Sequence, residues 1–229
     1  MMRFLPSRSF LSALALAAVS LPGFQACQPN SDADAAGGAR LPYLGEPTVV
    51  APGDTTYPTL PAFTLTNQDS QTVTPATFRG KVYIADFFFA TCPSICPKMS
   101  AEMLRVFEKY QGDERVAFLS HTIDPEHDTI AVLRDYAQRL GVTNAAQWHF
   151  ATAERDTIFR LARTYMVAAQ RDPSAPGGAV HSGAFVLVDA ERHIRGVYDG
   201  TNTQEVDRLL RDLPVLLQEL PAAPATARN

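Results

Sequence analysis

The sequence predicts an α/β domain of three layers built on a central mixed sheet. Residues 81–90 and 116–123 are near-continuous apolar runs, as strands buried on both faces must be. Each is followed by a segment with apolar residues at helical spacing, the alternation that makes parallel strands and crossover helices. The chain then closes with two short strand-like runs and a last amphipathic segment, an antiparallel pair and a helix to cover it.

The elements follow in order. Phe63-Thr64-Leu65-Thr66 and Gln71-Thr72-Val73-Thr74 flank Asn67-Gln68-Asp69-Ser70, a hairpin signal. Arg79-Gly80 breaks the chain before the run Val82, Tyr83, Ile84, Ala85, Phe87, Phe88, Phe89. Pro97 opens a helix, where its missing N–H costs nothing. Met99, Met103, Val106, Phe107 and Tyr110 recur at helical spacing and read as core, and Gly112 ends the helix. The strand Val116–Ile123 leads through Asp124-Pro125-Glu126-His127-Asp128-Thr129 into a helix, Ile130 to Leu140, closed by Gly141. Trp148–Ala151 is a short strand and Thr157–Ala169 a helix. Arg171–Gly178 is a Pro/Gly loop, Ala184–Val188 and Ile194–Tyr198 are the last strands, and Gln204–Leu220 is a helix interrupted at Pro214.

The domain proper is expected over 59–220. Residues 1–27 read as an export signal: Arg3 and Arg8, then an apolar stretch from Phe10 to Leu21 too short for a comfortable membrane span. Ala26-Cys27 after that stretch looks like a lipobox, which makes Cys27 the lipidated first residue; Phe24 and Gln25 depart from its usual pattern. Residues 28–58, rich in Ala, Gly, Pro, Asp, Ser and Thr, read as a flexible tether, and 221–229 as a disordered tail. This places the domain outside the cytoplasm, where thiols oxidise unless kept reduced or metal-bound. Net charge is -4, and no basic stripe with interleaved aromatics stands out, so nucleic acid is not an expected partner.

The chemistry sits in Thr91-Cys92-Pro93-Ser94-Ile95-Cys96-Pro97, at a strand-to-helix turn. The chain has three cysteines, and the other is Cys27, so the folded domain spends both of its thiols here. A helix N-terminus favours thiolate over thiol, which suits disulfide exchange and soft-metal binding alike. A structural disulfide is the weaker reading, because so small a loop restrains the unfolded chain little. This turn between the first long strand and its helix makes the fold thioredoxin-like. Redox members of that fold carry two residues between the cysteines and a cis-proline against the disulfide. Here three residues intervene, and His181 precedes the strand that starts beside the thiols. Two thiolates and an imidazole suit a three-coordinate Cu(I) ion, with zinc a poorer match for want of a fourth protein ligand.

Over residues 60–210 the sequence resembles the Sco/SenC family of extracytoplasmic copper proteins. The resemblance rests on Phe63-Thr64-Leu65, Lys81-Val82 into the aromatic strand, Thr91-Cys92-Pro93 with Cys96-Pro97, Ile123-Asp124-Pro125-Glu126 with Asp128-Thr129, and His181 before Phe185-Val186-Leu187-Val188-Asp189. It departs in Asp189-Ala190-Glu191-Arg192, which lacks the usual glycine, and in a short 171–178 loop. The resemblance implies one copper ion on Cys92, Cys96 and His181. It also implies delivery to the CuA centre of cytochrome c oxidase subunit II, from the periplasmic face of a bacterial membrane. That is a carrier rather than an enzyme. The alternative is a thiol–disulfide oxidoreductase with Cys92 attacking and Cys96 resolving. Asp124 and Asp128 are candidate braces of the site, with capping of the next helix the favoured role for Asp128. His121 reads as a hydrogen-bonded core histidine and His127 as solvated, while His149 and His193 have no partner motif.

Overall fold

The computed structural model describes residues 40–51, 53–142, 146–172, 174 and 179–221. The signal and lipobox expected over 1–27 lie outside them, as does the tail expected over 221–229 but for its first residue. The described elements are β1 (Thr48–Ala51), β2 (Asp54–Thr56), β3 (Leu65–Asn67), β4 (Thr72–Val73), a 3-10 turn (Pro75–Phe78), β5 (Val82–Phe88), α1 (Cys96–Tyr110), β6 (Val116–Thr122), α2 (Ile130–Arg139), β7 (Trp148–Thr152), α3 (Arg155–Thr164), β8 (Ala169–Arg171), β9 (Ala179–His181), β10 (Ala184–Val188), β11 (Ile194–Asp199) and α4 (Thr203–Glu219).

Seven strands form one mixed sheet in the order β11-β10-β5-β6-β7-β3-β4. β5, β6 and β7 run parallel, while β10 joins β5, and β3 joins β7, antiparallel. Every residue of β5 and β6 is buried, which is why both read as near-continuous apolar runs. Ring contacts fix the layers. Phe107 of α1 packs on Phe118 and Trp148, and Tyr136 of α2 on Phe88 and Phe150. Tyr165, just past α3, meets Phe87 on the opposite face and shares a 2.9 Å hydrogen bond with Tyr83. Adjacent residues of β5 thus face opposite layers, as the pleat requires.

Three departures from the sequence reading have physical causes. First, residues 40–58 were expected to be tether. Instead Leu41 and Leu44 pack against the core, the Leu44 N–H donates to the Ile194 carbonyl, and β1 and β2 form an exposed hairpin. Buried Arg195 donates to the Leu41 and Pro42 carbonyls, so a cation in β11 does what sparse apolar residues could not. Second, α3 stops at Thr164 because Met166 adopts φ 60°. The chain reverses into β8 of a β8–β9 arm, where the helix was expected to run on to Ala169; most of the loop expected over 171–178 lies outside the described residues. Third, α4 runs through Pro214. Val206, Leu209, Leu213, Leu216 and Leu217 are all buried on its inner face, and that burial outweighs the roughly 3 kcal/mol an interior proline costs.

Candidate metal centre

β5 ends at Phe88, at the carboxyl end of the parallel strands, and the chain must turn sharply to start α1. It does so through Phe89–Ile95, with the Cys92 N–H donating to the Phe89 carbonyl at 3.2 Å. Cys96 is the first residue of α1 and Pro97 the next. No side chain caps this helix and no acid lies in its first turn, so its free N–H groups face the thiol loop uncompensated. Cys92 and Cys96 are both free and buried.

His181 arrives from the far end of the sequence as the last residue of β9. Two contacts fix where that arm ends: the Ser182 N–H donates to the Ala168 carbonyl at 2.8 Å, and the Gly200 N–H to the Gly183 carbonyl at 2.6 Å. A Cβ on Gly183 would stand 2.7 Å from the Thr201 methyl, so only glycine lets the chain pass there. The His181 Nε2 lies 3.5 Å from the Cys96 Sγ, and its edge meets the Phe89 ring. The Nδ1 lies 3.1 Å from the Ser182 carbonyl oxygen. A carbonyl only accepts, so Nδ1 carries the proton and Nε2 turns a lone pair toward the sulfurs. The Cys92 and Cys96 sulfurs and one His181 ring nitrogen all lie within 4.8 Å of one another.

Electrostatics split the two thiols. Burial pushes Cys92 up, but hydrogen bonds from Cys96 and Ser94 outweigh it and leave the net shift downward. Burial pushes Cys96 strongly up, and its bond to Cys92 adds to that. Burial also lowers His181, against the Ser182 contact, which keeps the imidazole neutral. A neutral imidazole beside a readily ionised thiol is a donor set ready for a soft cation.

The other predicted residues separate. Asp128 is fully buried and accepts the Ala90 N–H at 3.0 Å and the Thr122 hydroxyl at 2.5 Å. It does not cap α2, because the Thr129 side chain takes the Val132 N–H. Asp124 instead pairs with exposed His127 at 2.9 Å. His121 is fully buried, stacks on Phe87 and lies 3.1 Å from the Asp86 carbonyl, on the face away from α1. His149 is buried beside Asn67, and His193 lies 3.4 Å from Asp189.

Sequence reasoning passed over Asp86 and Tyr136. Asp86 is a buried carboxyl in the middle of β5 with one oxygen unpaired among the described residues, and its field reaches Cys96. The signal was present, because an acid inside Val-Tyr-Ile-Ala-Asp-Phe-Phe-Phe breaks an otherwise apolar run. Tyr136 shares a 2.6 Å hydrogen bond with Ser100 and lines the cavity over both cysteines.

With the geometry in place, the comparisons decide the family. The SCO1/SenC family model matches residues 52–216. The chain belongs to the SCO1/SenC family. A SCO1/SenC family lipoprotein from Bacillus anthracis superposes with a TM-score of 0.63 at 25% identity, covering 69% of this chain and 94% of its own. BsSco is a member of the Sco family of cytochrome c oxidase assembly proteins in which a disulfide switch was identified. It matches with a TM-score of 0.61 at 26% identity, covering 69% of this chain and 93% of its own. Arabidopsis thaliana ScoI with copper bound shares the fold, with a TM-score of 0.58 at 23% identity, covering 69% of this chain and 98% of its own. The thioredoxin-like fold of this SCO1/SenC protein thus matches its relatives along the length of their structures.

Proposed function

We propose that this SCO1/SenC protein carries one copper ion on Cys92, Cys96 and His181 and hands it over during assembly of cytochrome c oxidase. The recipient is the CuA centre of subunit II. The observation that carries this reading is the convergence of two sulfurs and one oriented imidazole nitrogen within 4.8 Å. Soft thiolates with one borderline nitrogen select Cu(I), and three protein ligands leave the ion open to a fourth donor from a partner. Family membership supports the oxidase link. The B. anthracis relative is a lipoprotein, which supports a lipid on Cys27 and an extracytoplasmic position, taken as the periplasmic face. No helix among the described residues is long and apolar enough to cross a membrane. The test is titration of the reduced protein with Cu(I) against a competing chelator. One ion per chain is expected, lost in Cys92→Ser/Cys96→Ser. A stoichiometry far below one, or an unchanged affinity in the double variant, rejects the reading.

The second reading, a thiol–disulfide oxidoreductase, is favoured by the unequal thiols, one pushed down and one up, as an attacking and a resolving cysteine would be. Insulin reduction decides it. The carrier reading expects slow turnover that copper suppresses, and turnover like a true thioredoxin's, indifferent to copper, favours the enzyme.

A further inference from the structure

A groove of about 400 Å³ runs from the thiol pair outward between α1 and α2. Cys92 and Cys96 both line it. α1 lines it with Ser100, Ala101 and Leu104, and the C-terminal end of α2 with Tyr136, Arg139 and the following Leu140. His181 does not line it, so the groove approaches the sulfurs from a side the histidine leaves open.

We propose that this groove seats a short apolar segment of the copper acceptor, with a cysteine of that segment at its inner end. The proposal rests on the copper reading above and names how the acceptor is recognised. The size selects a segment. About 400 Å³ is room for a few side chains, so what enters the groove itself is a short segment. The walls select apolar side chains. Charge selects a thiolate at the inner end: the α1 N-terminus has no acid in its first turn, and Lys98 stands there. Arg139 pairs with Asp135, its guanidinium lies 5.8 Å from the Tyr136 ring centroid, and both members of the ion pair are about two-thirds exposed, at 62% and 65%; so open a pair leaves the guanidinium reachable by the visitor.

The handover then balances without redox change. The acceptor thiol gives up its proton and its sulfur bonds to Cu(I). The bond from copper to one of the two groove-lining cysteines breaks, and the freed thiolate takes up that proton. Transfer is complete when a second acceptor thiol replaces the other cysteine in the same way, passing its proton to that sulfur, and the neutral His181 nitrogen is released. The ion stays Cu(I) throughout.

The experiment uses the full chain loaded with Cu(I). Transfer is timed to a ten-residue apolar peptide with one cysteine, and to free cysteine at equal thiolate concentration. The peptide is expected to accept copper at least tenfold faster. Ala101→Glu, an exposed helical position, should slow the peptide about tenfold while leaving copper stoichiometry and transfer to free cysteine unchanged. Arg139→Ala should give a smaller loss, confined to peptides with an acidic end. A wild type that binds no Cu(I) sinks the copper reading and the groove with it. A wild type that binds Cu(I) but serves both thiols equally, as it would with the groove filled by its own chain, overturns the groove alone. Equal slowing of both acceptors by Ala101→Glu overturns it too.

Discussion

The Asp128 carboxylate accepts the main-chain N–H of Ala90 at 3.0 Å, across 38 residues of sequence. Ala90 lies two residues before Cys92, so the start of α2 holds the entrance of the thiol loop in place. The same oxygen takes the Thr122 hydroxyl, whose own oxygen accepts the Asp124 N–H. Asp128→Ala orphans two buried donors and should cost about 1–3 kcal/mol. It should also loosen the loop, lowering copper affinity tenfold or more. Asp128→Asn keeps an acceptor and should recover most of both. Chemical denaturation and chelator competition read the two effects separately. An affinity loss without any stability loss would mean that Asp128 acts by another route.

His181→Ala should damage copper binding more than the fold. The ring is half-buried on a two-stranded arm, and its described partners are the next residue's carbonyl, the Cys96 sulfur and the edge of Phe89. The metal-free variant should stay within about 1 kcal/mol of the parent, while Cu(I) affinity falls at least tenfold. If metal-free stability collapses instead, the histidine is a core residue and the ligand assignment fails.

Asp86 and His121 should pull the pH dependence of stability in opposite directions. Burial, opposed by a bond from Ser120, raises Asp86 from 3.8 to about 7. The folded state therefore holds a proton that the unfolded chain has lost, and stability falls as pH rises from about 4 to about 7. Burial lowers His121 from 6.5 to about 4, so its contribution is present above 6.5 and is lost as pH falls toward 4. Each slope is about 1.4 kcal/mol per pH unit, and they oppose each other between 4 and 6.5. Asp86→Asn removes one of them. Its stability relative to the parent should improve steadily from pH 4 to pH 7, by on the order of 3 kcal/mol in the metal-free protein. A gap that does not change with pH would show that Asp86 stays ionised.

Much of this was legible in the sequence because the signals were local. β5 is apolar but for Asp86 and β6 but for Ser120, His121 and Thr122, and the cysteines sit between a strand and a helix, so the mixed sheet, its crossover helices and the thiol turn could be read directly. His181 could be singled out from its place before β10. Its convergence with Cys96 could not be read from periodicity, because it depends on the β8–β9 arm and on the close pass at Gly183. The failures share one cause. Residues 40–45, the end of α3 and Pro214 are all decided by distant partners, and local propensity yields to tertiary packing there.

Cys27→Ala should release the protein from the membrane without touching the copper site. Described residues begin at 40 and pack on the domain from Leu41 onward, so the proposed tether shortens to residues 28–39. Fractionation and the mass of the mature N-terminus test this. A soluble wild type, or one without acyl mass, removes the lipid and leaves the copper reading standing.

Arg195 should prove to be the residue that turns part of the expected tether into structure. Its side chain is 2% exposed and donates to Asp189 at 3.1 Å, Glu219 at 3.0 Å and the Leu41 carbonyl at 2.5 Å, while the guanidinium lies 4.1 Å from the Tyr43 ring centroid. Val188 pairs with both Ile194 and Tyr83, which sets this clasp beside the start of β5, at the other end of that strand from the thiols. Arg195→Met keeps the volume but leaves the Asp189 carboxylate and the Leu41 and Pro42 carbonyls without their guanidinium, and Glu219 with Arg40 alone of its two cations. Breaking a buried pair on one side costs about 3–5 kcal/mol, and that loss should appear in denaturation. Residues 40–45 should then become cleavable by trypsin at Arg40, which pairs with Glu219 at 3.5 Å in the intact protein. Copper stoichiometry should not change. Retained protection at Arg40 with normal stability would mean that Leu41 and Leu44 anchor the segment through their apolar contacts alone.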